Sequence, residues 1–381
     1  MQGDSNRSSP KLKILQVLTL NGDSGIYGGP SQVAQNLCVA LKKNGYHSTI
    51  LSGCLKKESS IANDLSEFQS VQVKSILVSQ PLTTLFSVTM LRTLIRRIRK
   101  SDIVHIHFAR ELIPISATVI CILLKKKYFL QTHGMVKPDQ RIFIRILDIF
   151  IIRKLLRKAF RILALTPIEL ERLRQYSQNN IEILPNGIDF EFYSDSNITK
   201  VNSVVFCSRI NKRKRPELFV DAAIEIMDEY PDISFEIYGP NGGGLEQLEE
   251  HINQRGFKIH DFYFGPLSHA ETRVKLAESL VSVLPSLEEP FPMVILESLA
   301  AGTPVVVMPS CHISETLRKI NSSFVALDES ASGVAGALRI QLSRLRNNPD
   351  WYETKKVSFP YFGQEAVTER LIEIYESQLD T

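Results

Sequence analysis

Short apolar runs alternate with segments of helical apolar spacing along the whole chain, the pattern of parallel sheets built from βαβ units. Residues 13–20 read as a strand, followed by a glycine-containing loop over 22–29. Residues 31–43 then carry Val33, Leu37, Ala40 and Leu41 at helical spacing, with Gly45 as the stop. Further strands are predicted at 49–52, 103–107, 128–132, 162–165 and 181–184. A second series opens at 203–207, after a polar stretch over 194–202 that reads as a linker. It continues with strands at 234–238, 262–264, 281–284 and 305–308, and with helices such as 216–229 and 245–254. Each half is expected to be a doubly wound α/β domain, and such sheets bind ligands at the carboxyl ends of their strands. Two of them facing each other would leave a cleft.

Composition narrows the class. A chain of 381 residues is too long for one typical domain, and its 44% hydrophobic and 23% charged residues are ordinary for a globular protein. The five cysteines, Cys38, Cys54, Cys121, Cys207 and Cys311, lie far apart with no C-x-x-C pair. They read as reduced thiols of a cytoplasmic protein, against a disulfide framework or a zinc site. Residues 1–10 are polar and lack the apolar stretch of a signal peptide. The longest apolar run, 112–124, contains Pro114 and is too short to cross a bilayer.

The net charge of +4 hides an asymmetry. Residues 1–190 hold 27 basic and 13 acidic side chains, a net of +14, and residues 191–381 hold 18 and 28, a net of −10. A basic half suits an anionic partner. With no zinc-finger spacing, aromatic RNA-binding signature or basic zipper, a membrane surface is favoured over nucleic acid. Two segments join basic and apolar faces. Over 91–100, Leu91, Leu94, Ile95 and Ile98 form a stripe beside Arg92, Arg96 and Arg99, and over 141–161, Arg153, Arg157 and Arg161 recur at helical spacing. Peripheral contact with anionic lipid is expected.

The densest chemistry is Glu289-Pro290-Phe291-Pro292-Met293-Val294-Ile295-Leu296-Glu297, followed by Ser298-Leu299-Ala300-Ala301-Gly302-Thr303-Pro304-Val305-Val306. A helix over 293–301 would start after Pro292 and turn its first N–H groups toward an anion. Glu289 precedes that start, and Glu297 lies a little over one turn inside. A helical Glu more often faces water, but apolar neighbours surround this one. A phosphate, a sugar and a ribose would meet all three groups, which is the shape of a nucleotide sugar. Arg209 and Lys214 follow the first strand of the second half and suit a diphosphate, although Lys212, Arg213 and Arg215 crowd the same loop. Gly28-Gly29-Pro30 would let backbone approach a phosphate, or make a plain turn, and the G-x-G-x-x-G fingerprint is absent. His133 ends a strand in Thr132-His133-Gly134, where it would reach a sugar hydroxyl. His105 and His107 read as structural. No two Asp stand at i, i+2, so the usual cradle for a catalytic divalent metal is missing and no metal or other cofactor is expected.

These motifs, in this order over residues 12–378, resemble the retaining GT-B glycosyltransferases of family 4. The resemblance rests on Gly28-Gly29-Pro30, Thr132-His133-Gly134, Pro185-Asn186-Gly187-Ile188-Asp189, Arg209 with Lys214, Gly239, and the Glu289-to-Glu297 motif with its Ala-Gly-Thr-Pro-Val-Val tail. It implies a GT-B fold: an acceptor-side Rossmann-like domain over 1–193, a donor-binding one over 203–360, and a helix over 361–381 crossing back. It implies that Glu297 binds the ribose and Glu289 a donor-sugar hydroxyl. Arg209, Lys214 and the N–H groups of Met293 and Val294 would hold the diphosphate. His133 would lie beside the sugar, Leu267 beside the base, and Gly28 and Gly29 would let the first domain close over the phosphates. Pro290, Pro292 and Arg215 depart from the family, which often carries Gly there, and Pro292 has no N–H to give. The implied reaction is metal-free sugar transfer from a UDP- or GDP-sugar to an acceptor hydroxyl, with retention. A lipid-linked saccharide of a surface polysaccharide is the acceptor that suits the basic half. A nucleotide-sugar epimerase or hydrolase, or a non-catalytic binding module, remains open on the residues alone.

Overall fold

The computed structural model describes residues 12–20, 29–55, 68–76, 83–178, 180–193, 199–320, 323–347 and 354–378. Gly28, the rest of the loop over 21–28 and part of the polar stretch, 194–198, lie outside the described residues. The chain divides into two compact units, 1–187 with 367–381, and 188–366. The first boundary therefore falls ahead of the polar stretch 194–202. At that boundary a backbone bridge joins Ile188 to Gly363, in which Ile188 N donates to Phe362 O at 2.9 Å and Gln364 N to Ile188 O at 2.9 Å.

In the first unit the strands are β1 (Lys13–Leu20), β2 (His47–Cys54) and β3 (Phe68–Gln72). They continue with the short antiparallel ribbon β4 (Lys74–Ser75) and β5 (Leu85–Phe86), then β6 (Ile103–His107), β7 (Tyr128–Gln131), β8 (Arg161–Ala164) and β9 (Ile181–Ile183). Seven of them form one sheet in the order β3-β2-β1-β6-β7-β8-β9, every pair parallel. A parallel sheet covered on both faces needs apolar residues on both, and all five residues of β6 are buried. The helix Gly29–Lys43 ends as its sequence demands. Gly45 sits at φ 79°, its N–H donates to Lys42 O at 2.6 Å, and Tyr46 N–H donates to Leu41 O at 3.0 Å.

The apolar run at 112–124 is the helix Leu112–Leu123, with Pro114 in its first turn, where a missing N–H costs nothing. It buries Ile113, Ala117, Ile120 and Cys121 in the core. The helix Val88–Lys100 likewise turns its stripe inward: Leu94 and Ile98 are buried, and Leu91 and Ile95 pack against the same core. That helix is an ordinary amphipathic surface helix with no apolar face left for lipid. Arg161 departs from the expected helical series, because the helix ends near Arg157 and Arg161 opens β8, paired with Glu182 at 2.6 Å. The last helix, Gln364–Glu376, brings a fully buried Tyr375 against the Phe129 ring at 4.9 Å, with its hydroxyl bonded to His105 Nδ1.

The second unit holds β10 (Ser203–Cys207), β11 (Ser234–Tyr238), β12 (Val281–Leu284), β13 (Val305–Val307) and β14 (Ser323–Val325), all parallel in the order β11-β10-β12-β13-β14. That is the flavodoxin-like doubly wound order. The strand expected at 262–264 is only a bridge between Ile237 and Tyr263. Gly265 at φ 92° and the adjacent Pro266 end it before a ladder can grow.

One buried ion pair fixes how the segment after β7 lies. Asp148, in a π-helical turn over Asp148–Ile152, receives Arg110 Nε and Nη2 at 2.7 Å each and the Tyr176 hydroxyl at 3.0 Å. Arg110 also donates to Lys137 O at 2.8 Å. Asp148→Ala strands the half-buried guanidinium and is expected to cost on the order of 3 kcal/mol in chemical denaturation. The double substitution Arg110→Met with Asp148→Leu should recover most of it. A single substitution without effect would show that the pair carries no net weight.

Candidate active site

In the second unit the site residues come from loops that leave the carboxyl ends of parallel strands. Arg209 and Lys214 follow β10, Gly239 follows β11, and Glu289 follows β12 just ahead of the helix Met293–Ala300. The structure joins two of them directly. Lys214 Nζ donates to Glu289 Oε2 at 2.6 Å, and Arg213 Nη2 stands 3.6 Å from the same oxygen. The lysine and glutamate side chains are only 13% and 9% exposed. Burial pulls the Lys214 ammonium below its ordinary pKa, and the Glu289 carboxylate pulls in the opposite direction. An ammonium bound once to Glu289 has two N–H bonds left for a further anion.

Arg209 is exposed, and its stem packs on Gly242, where an added Cβ would come within 2.6 Å of Arg209 Cγ. Gly239 has φ 152° and would place a Cβ 1.8 Å from Ser208 O, so only glycine fits beside the Arg209 loop. The loops are tied by Ile210 N–H to Pro240 O at 2.9 Å and Gly242 N–H to Ile210 O at 2.8 Å.

Glu297 does not lie on a wet face. Its side chain is 14% exposed, and its Oε1 is 3.7 Å from His269 Nε2. That carboxylate raises the His269 pKa, and with burial it raises that of Tyr193. Met293 and Val294, half-buried, open the helix, and their N–H groups have no place in its i→i−4 ladder. Pro292 takes the capping position at φ −79° and ψ 103°. Leu267 lines a cavity of about 410 Å³ with Tyr238, Arg273, Val274 and Lys275. Arg215 occupies its Gly-like position in left-handed backbone, φ 53° and ψ 51°, which costs an arginine about 1–2 kcal/mol. Its guanidinium is held by Glu329 O at 2.7 Å and Glu329 Oε2 at 3.2 Å, which offsets part of that cost.

In the first unit, Gly29 is the exposed first residue of its helix. His133 is 9% exposed at φ 49°, followed by Gly134 at φ 72°. Buried Glu169 holds this strained turn: its Oε1 accepts from Thr132 Oγ1 and Gly134 N, and its Oε2 from Leu165 N at 2.7 Å. His133 Nε2 lies 2.7 Å from His107 Nδ1, and His107 Nε2 lies 3.1 Å from Gln16 Oε1. His107 also stacks between His105 and His133, with ring centroids 4.8 and 5.0 Å away. Burial drives His105 down to about 4 and His133 to about 3, with His107 well below its ordinary value.

Sequence reasoning passed over Glu169, His269 and Gly242, whereas the burial of His107 agrees with its reading as structural. Only Glu169 carried a signal, since Thr166-Pro167-Ile168-Glu169 has capping-box spacing. Among the described residues no group of three or more His, Cys, Asp or Glu is placed to hold a metal ion.

Two family profiles match in tandem: Glycosyltransferase Family 4 over residues 27–192 and Glycosyl transferases group 1 over residues 189–349. The chain belongs to the group 1/family 4 glycosyltransferases. A D-inositol 3-phosphate glycosyltransferase from Paenarthrobacter aurescens is 26% identical over 233 residues, 57% of each chain. Another D-inositol 3-phosphate glycosyltransferase, from Nocardiopsis dassonvillei, is 23% identical over 260 residues, 59% of this chain and 57% of that protein. The chain thus spans little more than half the length of these curated relatives. Among solved structures, a glycosyltransferase from Rickettsia africae superposes with a TM-score of 0.75 at 16% identity, covering 97% of this chain and 99% of that one. Anabaena HepE in complex with UDP and glucose gives 0.73 at 14% identity, covering 96% and 100%. The fold is that of GT-B glycosyltransferases.

The histidine cluster makes a pH prediction. The unfolded chain protonates these imidazoles as pH falls through about 6.5, whereas folded His105 and His133 resist to about 4 and about 3. Unfolded protein binds more protons across that window, so stability should fall as pH drops from 7 to 5. The His133 ring signals in NMR should stay unshifted from pH 8 to 5, and an inflection near 6.5 would contradict the neutral cluster.

Proposed function

We propose that the chain transfers a hexosyl group from a nucleotide diphosphate to an acceptor hydroxyl, with retention of configuration and without a metal ion. The observation that carries this reading is the Lys214–Glu289 pair, held at 2.6 Å where β10 and β12 end. A transition state of oxocarbenium character sheds a nucleotide diphosphate, so fixed cations at the leaving group supply most of the catalysis. Arg209 and Lys214 take that role, aided by the N–H groups of Met293 and Val294 and the positive end of their helix. Glu289 accepts from a donor-sugar hydroxyl while it orients Lys214. Glu297 accepts from the ribose hydroxyls, and Leu267 with its cavity receives the base. His133 and Gly29 are the first unit's candidates for sugar and phosphate contacts. Uridine is favoured over guanosine, because HepE, of the same fold, is described in complex with UDP and with UDP-glucose. The acceptor proposed is a lipid-linked saccharide of a surface polysaccharide, met at the cytoplasmic face of a membrane.

Arg209→Ala removes an exposed guanidinium and leaves the fold alone, and it should lower kcat by on the order of 100-fold. Glu297→Gln should raise the donor KM by about tenfold or more. Both are read by incubating UDP- and GDP-hexoses with a lipid-linked acceptor and following product by mass spectrometry and anomeric NMR. Transfer should persist in EDTA. Donor consumption that yields only free sugar would mean a hydrolase, and loss of activity in EDTA restored by Mg²⁺ would overturn metal independence.

A further inference from the structure

Residues 142–151 place six large apolar side chains in solvent. Ile142 is 75% exposed, Phe143 72%, Ile146 51%, Ile149 48%, Phe150 62% and Ile151 40%. They lie on the helix Ile142–Leu147 and the π-helical turn that continues it. Spacings of three and four put Ile142, Ile146 and Ile149 on one line, with Phe143 and Phe150 beside it. The segment cannot roll to hide them. Asp148 is pinned inward by Arg110 and Tyr176, and Ile152, Leu155 and Leu156 are locked in the core of the first unit. A contiguous apolar ridge of this size marks an interaction surface.

Its charge says what kind. Exposed Lys137, Arg141, Arg145, Lys154, Arg157 and Lys158 flank the ridge. Of the two acids within 137–158, Asp139 is already bound to Arg141 at 2.7 Å and Asp148 is buried against Arg110. With Arg153 the segment holds seven cations against those two acids. Apolar side chains with a cationic border and no exposed unpaired carboxylate match the interface of an anionic bilayer, where the rings enter the acyl boundary and the cations meet headgroup phosphates. No helix among the described residues is long and apolar enough to cross a membrane, so this contact lies in the plane.

We propose that the ridge Ile142–Phe150 is the element by which the first unit docks on anionic membrane. It deepens the membrane-facing acceptor reading above and rests on it for its biological sense, but vesicle binding without donor or acceptor tests it alone. The whole chain is sedimented with sucrose-loaded vesicles of phosphatidylcholine alone or with 30% phosphatidylglycerol by design, at low and high salt. Binding should be at least tenfold stronger on the anionic vesicles and weaken with salt. Phe143→Ser with Phe150→Ser should reduce it about tenfold or more, and so should Arg141→Gln with Arg145→Gln. UDP binding by calorimetry, which reports the second unit, should be unchanged in both. Retained vesicle binding in these folded variants would overturn the proposal. So would sedimentation showing a concentration-dependent dimer of the free chain that the phenylalanine variant dissolves, since the ridge would then be an interface between copies. Failure of sugar transfer with vesicle binding intact would count against the acceptor reading and leave the docking element standing.

Discussion

An all-parallel sheet sends the loop after every strand to the same edge. In the second unit that constraint gathers Arg209, Lys214, Gly239 and Glu289 from separate stretches of chain. Once there, the charges must satisfy one another. Burial lowers the pKa of Lys214, and the Glu289 carboxylate at 2.6 Å acts in the opposite direction, favouring the ammonium in a partly desolvated site. The two charges therefore hold each other in place at the end of β10 and β12, which is the arrangement the proposed diphosphate site needs. On the proposed reading, a phosphate arriving there would meet donors already fixed in place and would need little reorganisation at the moment of reaction.

The two units present opposite chemistries. The second offers charge: an exposed guanidinium, an ammonium shared with a carboxylate, and a carboxylate, Glu297, beside His269 and Tyr193. The first offers a neutral hydrogen-bonding group, because burial holds His133 and its neighbours uncharged. Its left-handed turn at His133 is held by Glu169, a residue far off in sequence whose carboxylate replaces the missing backbone partners. Charge suits a leaving diphosphate, and a neutral imidazole suits a sugar hydroxyl.

Most of the fold was legible because buried parallel strands leave apolar runs of a fixed length, and glycines such as Gly45 mark helix ends by geometry. The segment 262–264 misled because apolar composition signals burial, whereas a ladder also needs length that Gly265-Pro266 denies it. Arg161 misled because helical spacing ran past the true helix end into β8. The second-half site residues stood out through charge at strand ends. Their supports did not: Gly242 matters only for the stem it lets pass, and His269 approaches Glu297 from another helix, a long-range contact that one sequence cannot display. The segment 141–161 read as one that joins basic and apolar faces, but which of its apolar side chains reach solvent is shown only by the inward pinning of Asp148.

The most direct measurement of the central claim is calorimetric titration of the protein with UDP, GDP and the corresponding monophosphates. A diphosphate receptor built on Arg209 and Lys214 predicts that UDP binds at least tenfold more tightly than UMP, and that Arg209→Ala erases most of the difference while the protein stays folded. Equal affinity for the two nucleotides, or a difference that survives Arg209→Ala, would contradict it.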